Sequence, residues 1–400
     1  MKALCAVVLM FGFASSHLHA AEDPNVNKRG ALENARLKFL AQKKGHIVFL
    51  GGSITEMDGY RPMVSEMLKK RFPDTAFTIT NAGIASTCST TGAFRLKDDV
   101  LDKGPVDILF VEFAVNDDQD AHHTRDECIR GMEGIVRHLR RHNPQAEIVI
   151  THFVNEKSLE LYGKGQEPLP VAAHEEVAQH YQLSSINLAK TVSTRIAAGE
   201  FDWKKFGGVH PAPFGNRIAA DMIGQLMDAC WTNPPAAGAA AKTYAMPEKP
   251  LDAANYEGGR SIDPANIKFS DEWKNHVPDW AKIAGSKRDR FTKIPISEGV
   301  APGASLSVEF TGSAIGAYVV AGPDAGTVEV SIDGGPAAQV NLYHGFSGGL
   351  HYPRTVLFAD ALPPAKHTLS LKISADKDPR SKGTAVRAIR FVVNDATLLK

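Results

Sequence analysis

Between residues 45 and 231, short apolar runs alternate with amphipathic stretches. HIVFL (46–50), AFTIT (76–80), VDILFVEF (106–113), AEIVITHF (146–153) and SSIN (184–187) are short, mostly apolar and bounded by turn formers, which predicts strands. Val64, Met67 and Leu68 recur at helical spacing behind Pro62. Cys128, Ile129, Met132, Ile135, Val136 and Leu139 do so behind Thr124, which forms a capping box with Glu127. Ala219, Met222, Ile223, Leu226, Met227 and Cys230 close the region with one more helix. Strands alternating with helices imply a parallel sheet between helical layers, with any site on loops at the carboxyl ends of the strands.

The pattern changes after residue 232. Residues 233–255 are rich in Pro and Ala without sustained periodicity, as in a linker. Beyond them come SLSVEF, AIGAYVV, GTVEVSI, AAQVNLY, HTLSLKI and AVRAIRFVV, separated by turn signals such as Asp333-Gly334-Gly335, which predict an antiparallel β-sandwich over 256–400.

The 400-residue chain exceeds what one hydrophobic core usually organises, in keeping with two domains. Its 45 basic and 45 acidic side chains leave no electrostatic footprint for nucleic acid or an anionic membrane surface. Residues 1–21 read as a signal peptide: Lys2, an apolar run from Leu4 to Ala14, then Ala20-Ala21 for cleavage. No later stretch has the length of a membrane span. The mature chain keeps Cys88, Cys128 and Cys230, enough for one disulfide; Cys88, in a polar loop, is the one expected to be bridged or exposed.

The candidate chemistry sits at strand ends. HIVFL runs into Gly51-Gly52-Ser53, where glycines permit a sharp turn and a serine hydroxyl projects over the sheet; alone, Ser53 is equally well a helix cap. AFTIT leads into Asn81-Ala82-Gly83, and VDILFVEF leads into Asn116-Asp117. The Ser53 amide, the Gly83 amide and the Asn116 side chain would supply an oxyanion hole, and the neighbouring Asp117, Asp118 and Asp120 read as structural or solvated. A serine hydroxyl needs a base with a pKa near the working pH, and among fifteen histidines His210, in Gly208-Val209-His210-Pro211, is singled out by its position before the last helix. His122-His123 with Asp126, and His174-Glu175-Glu176, lack recognised metal-ligand spacing, so neither metal nor cofactor is expected.

Taken in order, Ser53 in GGSIT, Gly83, Asn116 in AVND and His210 in GVHP resemble the four blocks of the SGNH, or GDSL-like, hydrolases over about residues 30–232. The resemblance implies a flavodoxin-like three-layer α/β/α domain, Ser53 as nucleophile, His210 as base, and Ser53, Gly83 and Asn116 as oxyanion donors. Gly52 replaces the usual Asp of Gly-Asp-Ser. Gly207 stands where the family usually carries the Asp of the triad, leaving His210 to be oriented by a backbone carbonyl, as in a Ser-His dyad, or by Asp202.

Trp203 is positioned to stack on a sugar or to pack a lid, and Arg95 to meet an anionic substituent or a structural partner. The sandwich resembles the jelly-roll, carbohydrate-binding-like modules of polysaccharide-active enzymes. Tyr343, His344, Phe346, His351 and Tyr352 in NLYHGFSGGLHYPR would form a sugar-facing rim or fill the gap between domains. The reading is a secreted esterase removing acyl, chiefly acetyl, groups from a polysaccharide or oligosaccharide. Alternatives are an esterase for lipid, thioester or sulfate ester, and a polysaccharide-binding protein whose hydrolase domain is inactive.

Overall fold

The computed structural model describes residues 23–398, so the signal-peptide segment lies outside the described residues. Six strands, β1 (Val26–Asn27), β2 (Lys44–Gly51), β3 (Ala76–Gly83), β4 (Ile108–Val111), β5 (Glu147–Thr151) and β6 (Ser184–Ile186), form one sheet in the order β1-β6-β5-β4-β2-β3. β2 to β6 are parallel. β1, a two-residue segment too short to carry a periodicity, runs antiparallel along the β6 edge.

Alternate side chains of the central strands enter two cores. Ile47, Phe49, Ile108, Phe110 and Val149 pack against the helices Tyr60–Arg71 and Pro213–Cys230. Val48, Leu50, Leu109, Val111, Ile148 and Ile150 pack against Ser89–Asp99, Arg125–His142 and Leu169–His180. Burial on both faces is why these strands read as continuous apolar runs. The helix Arg125–His142 begins with the expected Thr124–Glu127 capping box. The chain steps outward from β2 to β3 and then returns across β2 to β4, so the winding reverses there; in such sheets the crevice beyond the strand ends at this point takes the ligand.

The second domain holds β7 (Gly259–Ser261), β8 (Ile267–Phe269), β9 (Lys274–His276), β10 (Ile296–Gly299), β11 (Ser305–Gly312), β12 (Ala314–Ala321), β13 (Thr327–Ile332), β14 (Ala338–Asn341), β15 (Tyr352–Ala359), β16 (Ala365–Ile373) and β17 (Val386–Asn394). They build two antiparallel sheets, β15-β12-β17-β10-β9 with β7 beside β17, and β14-β13-β16-β11-β8. β12 is buried throughout: Ala317 and Val319 face the sandwich core, while Tyr318 and Val320 join the core of the first domain. In the outer sheet, β11 and β16 largely alternate buried and exposed residues, as strands with one solvated face do.

The two domains are therefore joined by a shared apolar layer. Residues 233–255 contain no regular element, yet they are strapped onto the first domain. Lys242 N donates to Asn34 Oδ1 (2.8 Å), Tyr244 Oη to Glu147 Oε1 (2.8 Å), and the Leu251 and Asp252 amides donate to the buried Glu133 carboxylate at 2.7 and 2.9 Å. Among the described residues the three cysteines, Cys88, Cys128 and Cys230, are free and buried, and for Cys88 this is against the expectation of a bridged or exposed thiol. Among the described residues no helix is long and apolar enough to cross a membrane.

Candidate active site

Ser53 is the first residue of a short helix, Ser53–Glu56, that follows β2 directly. The two glycines before it serve close approach more than unusual torsions. A Cβ on Gly51 would lie 2.1 Å from Glu112 Oε1, and one on Gly52 would lie 2.1 Å from Asn116 Oδ1. Glu112, fully buried just beyond β4, accepts hydrogen bonds from Gly52 N (2.9 Å) and Thr55 Oγ1 (2.7 Å), and Tyr60 Oη meets Thr55 Oγ1 at 3.0 Å. Burial pushes the Glu112 carboxyl up to about 7, against the pull of those hydrogen bonds. An acid at the carboxyl end of an apolar strand was the visible signal for this residue, but no local pattern assigns it a role.

His210 Nε2 lies 2.8 Å from Ser53 Oγ. The histidine is delivered by a tight connection between the helices Trp203–Phe206 and Pro213–Cys230. Gly207 ends the first of these with φ +111°, and a Cβ there would lie 1.9 Å from Ala212 N. No side chain can stand at that position in this backbone without displacing Ala212. Asn216, buried in the following helix, donates from Nδ2 to Pro211 O and braces the loop.

Asp202 does not supply the acid. Its exposed carboxylate caps the helix Trp203–Phe206 by accepting from Lys205 N at 2.7 Å, and no hydrogen bond joins it to His210 among the described residues. Trp203 is half-buried: its ring stacks on Phe206 with centroids 5.3 Å apart, and its Nε1 donates to Glu156 Oε1 at 3.1 Å. Arg95 is 2% exposed, donates from Nη2 to Gly51 O (3.1 Å) and pairs with Asp99 (3.1 Å). It supports the end of β2 from below, which removes it from any surface a substrate could reach.

Of the expected oxyanion donors, Asn116 lies beside Gly52, and one Nδ2 hydrogen is held by Asp120 Oδ2 at 2.5 Å, leaving the other free. Asp120 is 7% exposed rather than solvated. Its burial raises its pKa, opposed by hydrogen bonds from Asn116 and Gln119 and by the charges of His122 and His210. The Gly83 amide is committed elsewhere: it donates to Asn81 Oδ1 at 3.0 Å. In the loop that follows, the amides of Ser86, held at φ +72°, and of Cys88 have no hydrogen-bond acceptor among the described residues.

The second domain fixes that loop. Tyr352 Oη donates to Ser86 O (2.9 Å), Arg288 Nη2 to Ser86 Oγ (2.7 Å) and Arg290 Nη1 to Gly83 O (3.1 Å). His344 stacks on Tyr352 at 4.0 Å between centroids, and its Nε2 lies 2.9 Å from Asp120 O. His351 Nε2 meets Ala284 O at 2.9 Å. His344 and Tyr352 thus fill the junction between domains, Tyr343 packs in the sandwich core, His351 bonds within the second domain, and Phe346 stays 55% exposed.

A serine hydroxyl on an imidazole nitrogen at the switch point of this sheet is an arrangement for acyl transfer, and residues 49–218 match the GDSL-like Lipase/Acylhydrolase family. Over those residues the first domain resembles the GDSL-like acylhydrolases. With its β-sandwich, the chain is similar to the solved structure of a two-domain esterase (CEX) active on acetylated mannans, co-crystallised with mannopentaose. The identity is 21%, 93% of this chain and 97% of that one are covered, and the TM-score is 0.73. A second structure of that two-domain esterase gives 21% identity, the same coverage and a TM-score of 0.72. At this identity the likeness is one of fold. No curated protein sequence matches the chain.

Proposed function

We propose that the chain is a secreted serine esterase that removes acetyl groups from carbohydrate through Ser53 and His210. The 2.8 Å contact between His210 Nε2 and Ser53 Oγ carries this reading. His210 takes the Ser53 proton as Oγ attacks the acyl carbonyl, whose electron pair moves onto oxygen. The Ser53 amide and the free Nδ2 hydrogen of Asn116 are the donors for that oxyanion, and losing one such donor typically costs about 3–4 kcal/mol. Collapse expels the sugar oxygen, which takes the proton from His210. Water, deprotonated by His210, then releases acetate from Ser53.

Several observations support a carbohydrate ester over the alternatives. His210 is exposed, which suits an acyl group carried on a polymer. The two-domain architecture is shared with an esterase whose structure contains mannopentaose. Burial of Arg95 takes away the cation that a sulfate ester would have met. The inactive-domain reading rested on Gly207, whose lack of a carboxylate leaves the Ser53–His210 contact intact. The leader at 1–21 supports export. The test is acetate release from acetylated mannan, acetylated xylan and p-nitrophenyl acetate, with Ser53→Ala alongside. Release that is lost in the variant supports the proposal; equal release by both proteins rejects it.

A further inference from the structure

Behind the helix Ala114–Gln119, which carries Asn116, the fold gathers residues that are scattered in sequence. Cys88 comes from the loop before the helix Ser89–Asp99, Asp117 follows Asn116, and His123 lies just before the helix Arg125–His142. One ligand atom from each of the three lies within 4.8 Å of the others. We propose that Cys88 Sγ, Asp117 Oδ1 and His123 Nδ1 hold a zinc ion whose fourth position opens to the cavity between the two domains. The proposal is independent of the Ser53–His210 reading.

The spacing suits the ion. His123 Nδ1 and Asp117 Oδ1 are 3.4 Å apart. Zinc bonds of about 2.0 Å to nitrogen and oxygen at tetrahedral angles separate two such atoms by about 3.3 Å. His123 Nε2 lies 3.4 Å from Thr90 Oγ1, which turns Nδ1 toward Asp117, and that Nδ1 is buried without a hydrogen-bond partner. The Asp117 carboxylate is fixed by Ser89 N (2.8 Å), Ser89 Oγ (2.7 Å) and His174 Nε2 (3.0 Å), the outer support a ligand needs to keep its orientation. A thiolate and a carboxylate offset the charge of a divalent cation, so the filled site is neutral where an uncompensated charge would be costly. Sulfur and imidazole donors select zinc over magnesium or calcium.

An overlapping group, Asp117, Cys128 and His174, is wholly buried. The Cys88 group is the accessible one: Cys88 and His123 line a cavity of about 240 Å³ with Asp120, His344, Tyr352 and Arg354. Water or a small anion completes the coordination from that side. The ion would tie the loop after β3 to the helix bearing Asn116, beside the junction with the second domain.

The full-length protein, stripped with a chelator and titrated with Co²⁺ and then Zn²⁺, provides the test. The expected result is one Co²⁺ per chain with a near-ultraviolet thiolate charge-transfer band, displaced by Zn²⁺, and a melting temperature that rises with Zn²⁺ concentration. Cys88→Ser should abolish the band and weaken binding about 100-fold or more, and Thr90→Val should weaken it about 10-fold. Cys230→Ser should leave both unchanged. Should Cys88→Ser fail to fold, protection of the Cys88 thiol from alkylation by Zn²⁺ in the wild-type protein reads the same contact. No stoichiometric Co²⁺ binding by wild type, or a band that survives Cys88→Ser and vanishes in Cys128→Ser, overturns the proposal.

Discussion

Glu112 makes the stability of the first domain depend on pH in a direction opposite to that of a salt-bridged acid. Its carboxyl is fully buried beneath the nucleophile turn and lifted from an ordinary 4.5 to about 7. The folded protein therefore holds this proton at pH values where the unfolded chain has lost it, and stability falls as pH rises from about 4.5 to about 7. A displacement of that size corresponds to about 3 kcal/mol. Glu112→Gln keeps an acceptor for Gly52 N and Thr55 Oγ1 while removing the ionisation. Urea unfolding of both proteins between pH 5 and 8 should show the wild type losing about 3 kcal/mol relative to the variant, or about 6–12 °C in melting temperature for a domain of this size. Glu147, pushed by burial up to about 6, contributes in the same direction in both proteins and cancels in the difference. Parallel stability curves would refute the reasoning, because the Glu112 proton would then be bound alike in folded and unfolded chains.

Gly207→Asp places the missing acid where the family carries it, and the expected result is loss: the new Cβ collides with Ala212 N, the left-handed backbone adds about 1–3 kcal/mol of strain, and thermal melting and esterase assays should both fall. Asp202→Asn should retain wild-type activity within a few-fold, since Asn caps a helix as well as Asp; a drop of about 10⁴ in kcat would restore Asp202 as the acid. Asn116→Ala should lower kcat by about 10²–10³ with little change in KM, measured on p-nitrophenyl acetate, because its amide serves the transition state.

The sheet was legible because β2, β4 and β5 are apolar on both faces and bounded by turn residues, and the sandwich because its strands are short and separated by Gly- and Asp-rich turns. The two-residue β1 had no period to read. Residues 233–255 were legible as irregular chain but not as a strap, since their anchors Asn34, Glu133 and Glu147 lie far away in sequence. In the site, Ser53 stood out because it follows a Gly pair at a strand end, and His210 because it lies just before the last helix of the first domain. What local sequence could not show was whether groups were already engaged. The Gly83 amide is taken by Asn81, Arg95 is drawn inward to Gly51 O, and Asp202 is spent on a helix cap. Cys88, Asp117 and His123 lack any metal-binding spacing because three separate elements bring them together.

The central claim, that Ser53 is a nucleophile activated by His210, is tested most directly by the intact mass of the protein after exposure to an organophosphonate. The account expects a single adduct, mapped to Ser53, absent in Ser53→Ala and formed far more slowly in His210→Ala. A folded protein that releases acetate while Ser53 stays unlabelled would contradict it.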